Sequence, residues 1–129
     1  MPSIFTRIVN GEIPCYKIAE TDNYLAFLDV RPVTAGHTLC IPKKEVDYIF
    51  DVEDELLAGL ILFAKRVAKA VEKEVPCLRC GVAVVGLEVP HAHVHLIPLN
   101  SMADFSFKNK TDMAPDLLAD LATRISSHL

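Results

Sequence analysis

A chain of 129 residues with 51% hydrophobic and 23% charged side chains has the size and composition of one globular domain, read here as residues 1–129. Those figures exclude a disordered chain, a collagen-like repeat and a coiled-coil rod. The balance of 13 Lys+Arg against 17 Asp+Glu leaves a net charge of −4, which argues against a nucleic-acid partner while leaving a small anionic ligand open.

No run approaches the roughly 18 consecutive apolar residues of a membrane span, so no membrane partner is expected. The opening Met-Pro-Ser-Ile-Phe-Thr-Arg lacks the charged and apolar regions of a secretory signal. Cys15, Cys40, Cys77 and Cys80 therefore need not be a disulfide framework. The reading is a reduced, cytoplasmic protein.

The first 50 residues read as short strands separated by turns. Asn10-Gly11 is a turn dipeptide, bounded by Pro14. Strands are expected over 16–19 and 24–29, joined by Thr21-Asp22-Asn23, and over 37–42 after a loop from Arg31 to Gly36. Residues 52–75 carry the clearest helical pattern, with Leu56, Leu60, Phe63, Val67 and Val71 on one stripe. Glu53, Asp54 and Glu55 at its start and Lys69 and Lys73 near its end suit the helix dipole, although Glu72 and Glu74 oppose it. Pro76 stops this helix, and Gly59 weakens it by about 1 kcal/mol against Ala.

Residues 81–85 read as a buried strand ended by Gly86, and 91–96 alternate polar with apolar. A last helix over 115–125 has Pro115 at its start and Leu117, Leu118, Leu121 and Ile125 on one stripe. His128 lies beyond it, in residues expected to fray, and is given no role. Strands, helix, strands, helix predicts an α+β fold with a mostly antiparallel sheet.

The run His91-Ala92-His93-Val94-His95-Leu96 is the most informative in the chain. In a strand the three imidazoles share a face, their origins roughly 6.5–7 Å apart. Packing hardly explains such a row; catalysis, a metal site and chance surface decoration compete to do so. Three imidazolium ions this close would repel, so at least one ring should stay neutral near pH 7. A neutral ring is a nucleophile, and protonated neighbours would suit an anionic phosphate.

His91 to Ile97 resembles the His-φ-His-φ-His-φ-φ signature (φ, hydrophobic) of the histidine triad (HIT) superfamily. Ser3-Ile4-Phe5, Ile8-Val9-Asn10-Gly11-Glu12-Ile13-Pro14, residues 25–32 and residues 36–44 are similar to the superfamily's Hint-like branch. The resemblance spans about residues 3–99 and leaves a tail and helix over 100–129. It implies a HIT-like fold with a five-stranded sheet, one long central helix and a C-terminal helix. It also implies a purine nucleotide substrate, a homodimer and hydrolysis of phosphoramidates, such as adenosine phosphoramidate or lysyl-adenylates, at the α-phosphate. His93 would form a nucleotidyl-histidine intermediate and His95 would contact the phosphate or the leaving amine. His91 would orient His93 through its carbonyl, and His37 would support the cluster. Asp29 would bind the ribose; Phe5, Ile8 and Phe27 would line the base pocket, with core packing as their competing role. Alternatives are a dinucleoside polyphosphate hydrolase, a nucleotidyl transferase, or a nucleotide-binding module with little turnover.

The loop Gly86-Leu87-Glu88-Val89-Pro90 departs from the branch's Gly-Gln-Ser-Val. Glu88 puts a carboxylate where a hydroxyl normally meets the phosphate and leaving group, and Val89 follows it at the nucleotide site. Glu88 is expected to alter leaving-group preference or slow turnover. Cys80 replaces a residue that is often Asn, and the chain has no Trp. No cofactor is required. Cys77-Leu78-Arg79-Cys80 leaves structural zinc or a redox pair as an alternative, although the Cys pair of zinc-bearing HIT proteins lies near the N-terminus. Lys43-Lys44 is expected to be solvated, with a supporting role near phosphate as the other option.

Overall fold

The short apolar runs alternate, and the alternation sorts the two faces of one sheet. The computed structural model describes residues 1–129. In chain order the elements are α1 (Ile4–Val9), β1 (Lys17–Glu20), β2 (Tyr24–Leu28), β3 (Thr38–Pro42), α2 (Asp54–Glu74), β4 (Arg79–Ala83), β5 (Val94–Leu99) and α3 (Pro115–Ser126), with single 3-10 turns at Ile49–Asp51 and Met102–Asp104. The sheet runs β1-β2-β3-β5-β4, and every neighbouring pair is antiparallel. This is the expected α+β architecture. No helix is long and apolar enough to cross a membrane.

Ala26 and Leu28 of β2, Cys40 of β3, and Val94 and Leu96 of β5 join Leu60, Phe63 and Val67 of α2 and Leu118, Leu121 and Ile125 of α3 in the main core. Leu25 and Phe27 of β2 and Leu39 and Ile41 of β3 face the other way and pack against Phe5 of α1. Across the ladder Phe27 lies opposite Leu39, and Leu39 opposite His95. That register puts His95 on the second face, with α1 rather than the long helices.

Several expectations are corrected. The N-terminal segment contains helix α1, where only strands and turns were read. Six residues are too few to show a period or to be stable alone; the Ser3 side chain caps α1 by accepting from Thr6 N at 3.0 Å, and Phe5 is buried. β4 begins and ends two residues before the expected strand, so Val84 and Val85 leave the ladder. β5 starts at Val94 because the preceding backbone turns elsewhere: His91 N–H donates to Val89 C=O and Ala92 N–H to Val46 C=O. Leu117 is exposed and Ala122 takes its place on the buried stripe of α3. His128 is held by Glu74, 3.1 Å away.

Gly59 is a requirement rather than a weakness. A Cβ there would stand 1.9 Å from Tyr24 Oη, whose hydroxyl donates to the Leu56 carbonyl at 2.9 Å. Lys43 is not free in solvent but pairs with Glu20 at 2.8 Å.

Candidate active site

His37 enters the site through a tight turn. Gly36 has φ +94°, and a Cβ on it would lie 2.9 Å from the Val75 side chain, so glycine allows the loop to turn into β3 against the end of α2. His37 is left fully buried.

Two hydrogen-bond chains then set the imidazole tautomers. In the first, Val33 N–H donates to His37 Nδ1 at 3.1 Å. That nitrogen keeps its lone pair, so the His37 proton is on Nε2, 2.9 Å from His95 Nδ1. His95 accepts at Nδ1 and retains an N–H at Nε2. In the second chain, His91 Nε2–H donates to the Pro42 carbonyl at 2.7 Å, and His91 Nδ1 accepts the Ser3 hydroxyl proton at 2.8 Å. The His91 carbonyl in turn accepts from His93 Nδ1–H at 2.7 Å, which leaves a lone pair on His93 Nε2.

The rings of His93 and His95 stand edge to face, 4.9 Å between centroids, and both line a cavity of about 600 Å³. One therefore brings an acceptor nitrogen and the other a donor. Burial keeps the supporting rings neutral: desolvation pushes His37 down to about 4 and His95 down to about 3, and lowers His91 as well. The protonated neighbours expected from sequence give way to neutral N–H donors. His91 and His93 both pack edge to face with Phe5, at 5.9 and 5.1 Å, but the imidazoles of the run do not all reach the cavity. His37, His95 and His93 form the cluster, while His91 is buried behind it against Ser3 and Pro42 and does not line the cavity.

The cavity's apolar wall includes Phe5, Ile8, Phe27, Leu39 and Val89. Phe5 and Phe27 meet edge to face at 5.5 Å within the buried cluster, so core packing and cavity lining are one role rather than competitors. Asp29 also borders the cavity; one oxygen accepts from Arg31 N–H at 2.9 Å and the other lies 3.8 Å from His37 Nε2. Glu88 stands at the mouth, 83% exposed at its side chain and 3.8 Å from Lys110 Nζ.

Sequence reading missed four residues here. Phe107 lies edge-on to His95 at 4.9 Å, and Lys110 lines the cavity. Ser3 holds His91 from behind, and Glu45 braces that support by accepting from Ser3 N–H and Thr6 Oγ1–H at 2.6 Å each. Ser3 was visible as a helix N-cap residue three before Thr6. An aromatic pair, Phe105 and Phe107, in an otherwise polar stretch was the signal for the other end.

The one grouping with metal-ligand spacing is Asp29, His37 and His95. Its nitrogens, however, sit at hydrogen-bond distance, closer than the about 3.3 Å separating two ligands of a tetrahedral zinc. Cys77 and Cys80 belong to no such group. Burial chiefly raises both thiols, Cys80 to about 12, away from the thiolate that zinc or redox chemistry needs.

The HIT domain profile matches residues 10–102. The chain belongs to the HIT domain family. An HIT-like protein of Borreliella burgdorferi is 33% identical, with 98% of this chain and 97% of that protein covered. An adenosine 5′-monophosphoramidase of Schizosaccharomyces pombe is 40% identical over 76% of this chain and 74% of its own. Among solved structures, a HIT-like protein of Bartonella henselae superposes with a TM-score of 0.86 at 30% identity, covering 98% of this chain and 96% of that one. A zinc-bound histidine triad protein of Mycobacterium smegmatis gives 0.84 at 28% identity, with 97% and 90% covered.

Proposed function

We propose that this HIT protein is a Hint-like purine nucleoside phosphoramidase acting by covalent catalysis at His93. The observation that carries the reading is the pairing of one acceptor nitrogen, His93 Nε2, with one donor, His95 Nε2–H, in a single cavity. Three family features support it: the histidine run, the apolar slot beside Asp29, and the phosphoramidase name of the fission-yeast relative.

In this reading the base lies among Phe5, Ile8, Phe27 and Val89, and Asp29 accepts from the ribose hydroxyls. The lone pair of His93 Nε2 attacks the α-phosphorus. The P–N bond breaks, its electrons stay on the leaving nitrogen, and that nitrogen takes up a proton from solvent water at the open cavity and departs as the amine. His95 Nε2–H hydrogen-bonds the phosphoryl group and the departing nitrogen. Water then cleaves the nucleotidyl-His93 bond and releases the monophosphate. His91 fixes His93 through its carbonyl, and His37 fixes the tautomer of His95. No metal enters these steps. We also infer a cytoplasmic homodimer; the four cysteines are free, and β4 is an edge strand with Val82 exposed.

The test is His93→Ala with a radiolabelled adenosine phosphoramidate. Acid quench of the wild-type protein should trap label on the chain. His93→Ala should bind nucleotide, trap none and lose hydrolysis; unchanged hydrolysis refutes the assignment. Light scattering of the eluted protein should give twice the chain mass, and a monomer refutes the dimer.

A further inference from the structure

Three charged residues line the cavity that the proposed chemistry above does not use: Arg31, which already faces Asp112 at 3.4 Å, Glu88 and Lys110. Glu88 comes from the loop between β4 and β5, and Lys110 from the segment that leads into α3. Lys110 is drawn over the cavity by its neighbours. Thr111 donates through both its N–H and its hydroxyl to the Pro32 carbonyl, at 2.9 and 3.1 Å, and Arg31 faces Asp112 at 3.4 Å. On the other side Phe107 packs against His95 and His37. The stretch from Phe107 to Asp112 is thereby strapped across the histidine cluster at both ends. Lys110, 28% exposed at its side chain, hangs between the straps, near enough for its charge to act on both His37 and His95.

We propose that Glu88 and Lys110 form the leaving-group subsite and select substrates by the charge of the amine they release. The inference rests on the phosphoramidase reading and adds its specificity. The apolar wall and Asp29 take the nucleoside, and the two histidines take the phosphorus. The leaving amine is the remaining part of the substrate, and the mouth of the cavity is where it meets solvent. There it meets the Glu88 carboxylate and the Lys110 ammonium, while the Arg31 guanidinium is turned to Asp112.

Their mutual bond is poor. At 3.8 Å, with Glu88 largely in water, the pair is a weak surface contact that an incoming charge exchanges at little cost. A cationic amine takes Glu88 as its partner, and an anionic amine takes Lys110. Removing either side chain's charge leaves the other unopposed, so the two substitutions tilt selectivity in opposite directions. A purely structural ion pair predicts no such opposition.

The experiment uses three adenosine 5′-phosphoramidates whose amines carry a distal ammonium, a distal carboxylate or no charge. Initial rates give kcat/KM for each with wild type, Glu88→Gln and Lys110→Gln. For Glu88→Gln the ratio of cationic to anionic substrate should fall about tenfold, because an attraction and a repulsion vanish together. For Lys110→Gln the same ratio should rise about tenfold. Ratios compare substrates on one preparation, so a loss of active protein does not imitate either result. Ratios unmoved, or moved the same way by both substitutions, overturn the inference. If wild type cleaves none of the three and traps no nucleotide, the phosphoramidase reading itself has failed.

Discussion

Ser3 and His91, 88 positions apart in the chain, are joined by a buried 2.8 Å hydrogen bond. The Ser3 hydroxyl gives its proton to His91 Nδ1 and accepts from Thr6 N–H, so it is satisfied in both directions. Because His91 Nε2–H is taken by Pro42, this bond completes the ring's environment and steadies the carbonyl that orients His93. Ser3→Ala leaves a buried acceptor without its principal donor, at a cost of about 1–3 kcal/mol. Urea unfolding should register that loss. In activity we expect kcat to fall about tenfold with KM nearly unchanged, since Ser3 touches no substrate. A change confined to KM contradicts the positioning role.

Acid should destabilise the fold through the buried imidazoles. Their folded pKa values lie below the unfolded value of 6.5, so between pH 6.5 and about 4 the unfolded chain binds more protons, and stability falls as pH falls. The shift of His37 alone, from 6.5 to about 4, corresponds to about 3 kcal/mol. His95 continues the loss down to about pH 3. Calorimetry at intervals from pH 7 to pH 4 should show the melting temperature descending steadily, most steeply below pH 6. A flat profile across that range refutes the neutral-ring arrangement.

Gly59→Ala sets two effects against each other. Alanine is favoured by about 1 kcal/mol within a helix. The added methyl, however, falls on the Tyr24 hydroxyl, and overpacking of this kind costs about 1–3 kcal/mol. The Tyr24–Leu56 hydrogen bond and the stacking of Tyr24 on Phe63 at 5.4 Å would be disturbed with it. The net expectation is a loss of about 1–2 kcal/mol, partly recovered in the double variant Gly59→Ala/Tyr24→Phe. A stabilised single variant shows that Tyr24 moves aside freely.

Metal should hinder rather than help. EDTA is expected to leave phosphoramidate hydrolysis intact, because the proposed phosphate contacts are imidazole N–H groups. Excess zinc should inhibit reversibly by capturing Asp29, His37 and His95, which breaks the His37–His95 hydrogen bond. Loss of activity on chelation, restored by zinc, would contradict this.

The strands, the long helix and the histidine run were legible because periodicity reports burial directly. The hidden parts depend on distance in space. Helix α1 is too short to declare itself, and its cap, Ser3, gains meaning only beside His91. The alternation at 91–96 showed that the histidines belong together, but His91 faces Ser3 and Pro42, whereas His37 and His95 pair across strands. Their tautomers rest on Val33 N–H and the Pro42 carbonyl, backbone groups that no side-chain pattern advertises. Gly59 reads as a helix flaw until Tyr24 is placed beside it.

The clasp around His91 is made from residues 3 to 6 and closed by Glu45. An affinity tag or fusion partner attached ahead of Met1 therefore begins only a few bonds from the support of the histidine cluster. A tag for enzymology is better placed after Leu129, or joined through a spacer that lets Ser3 keep its grip.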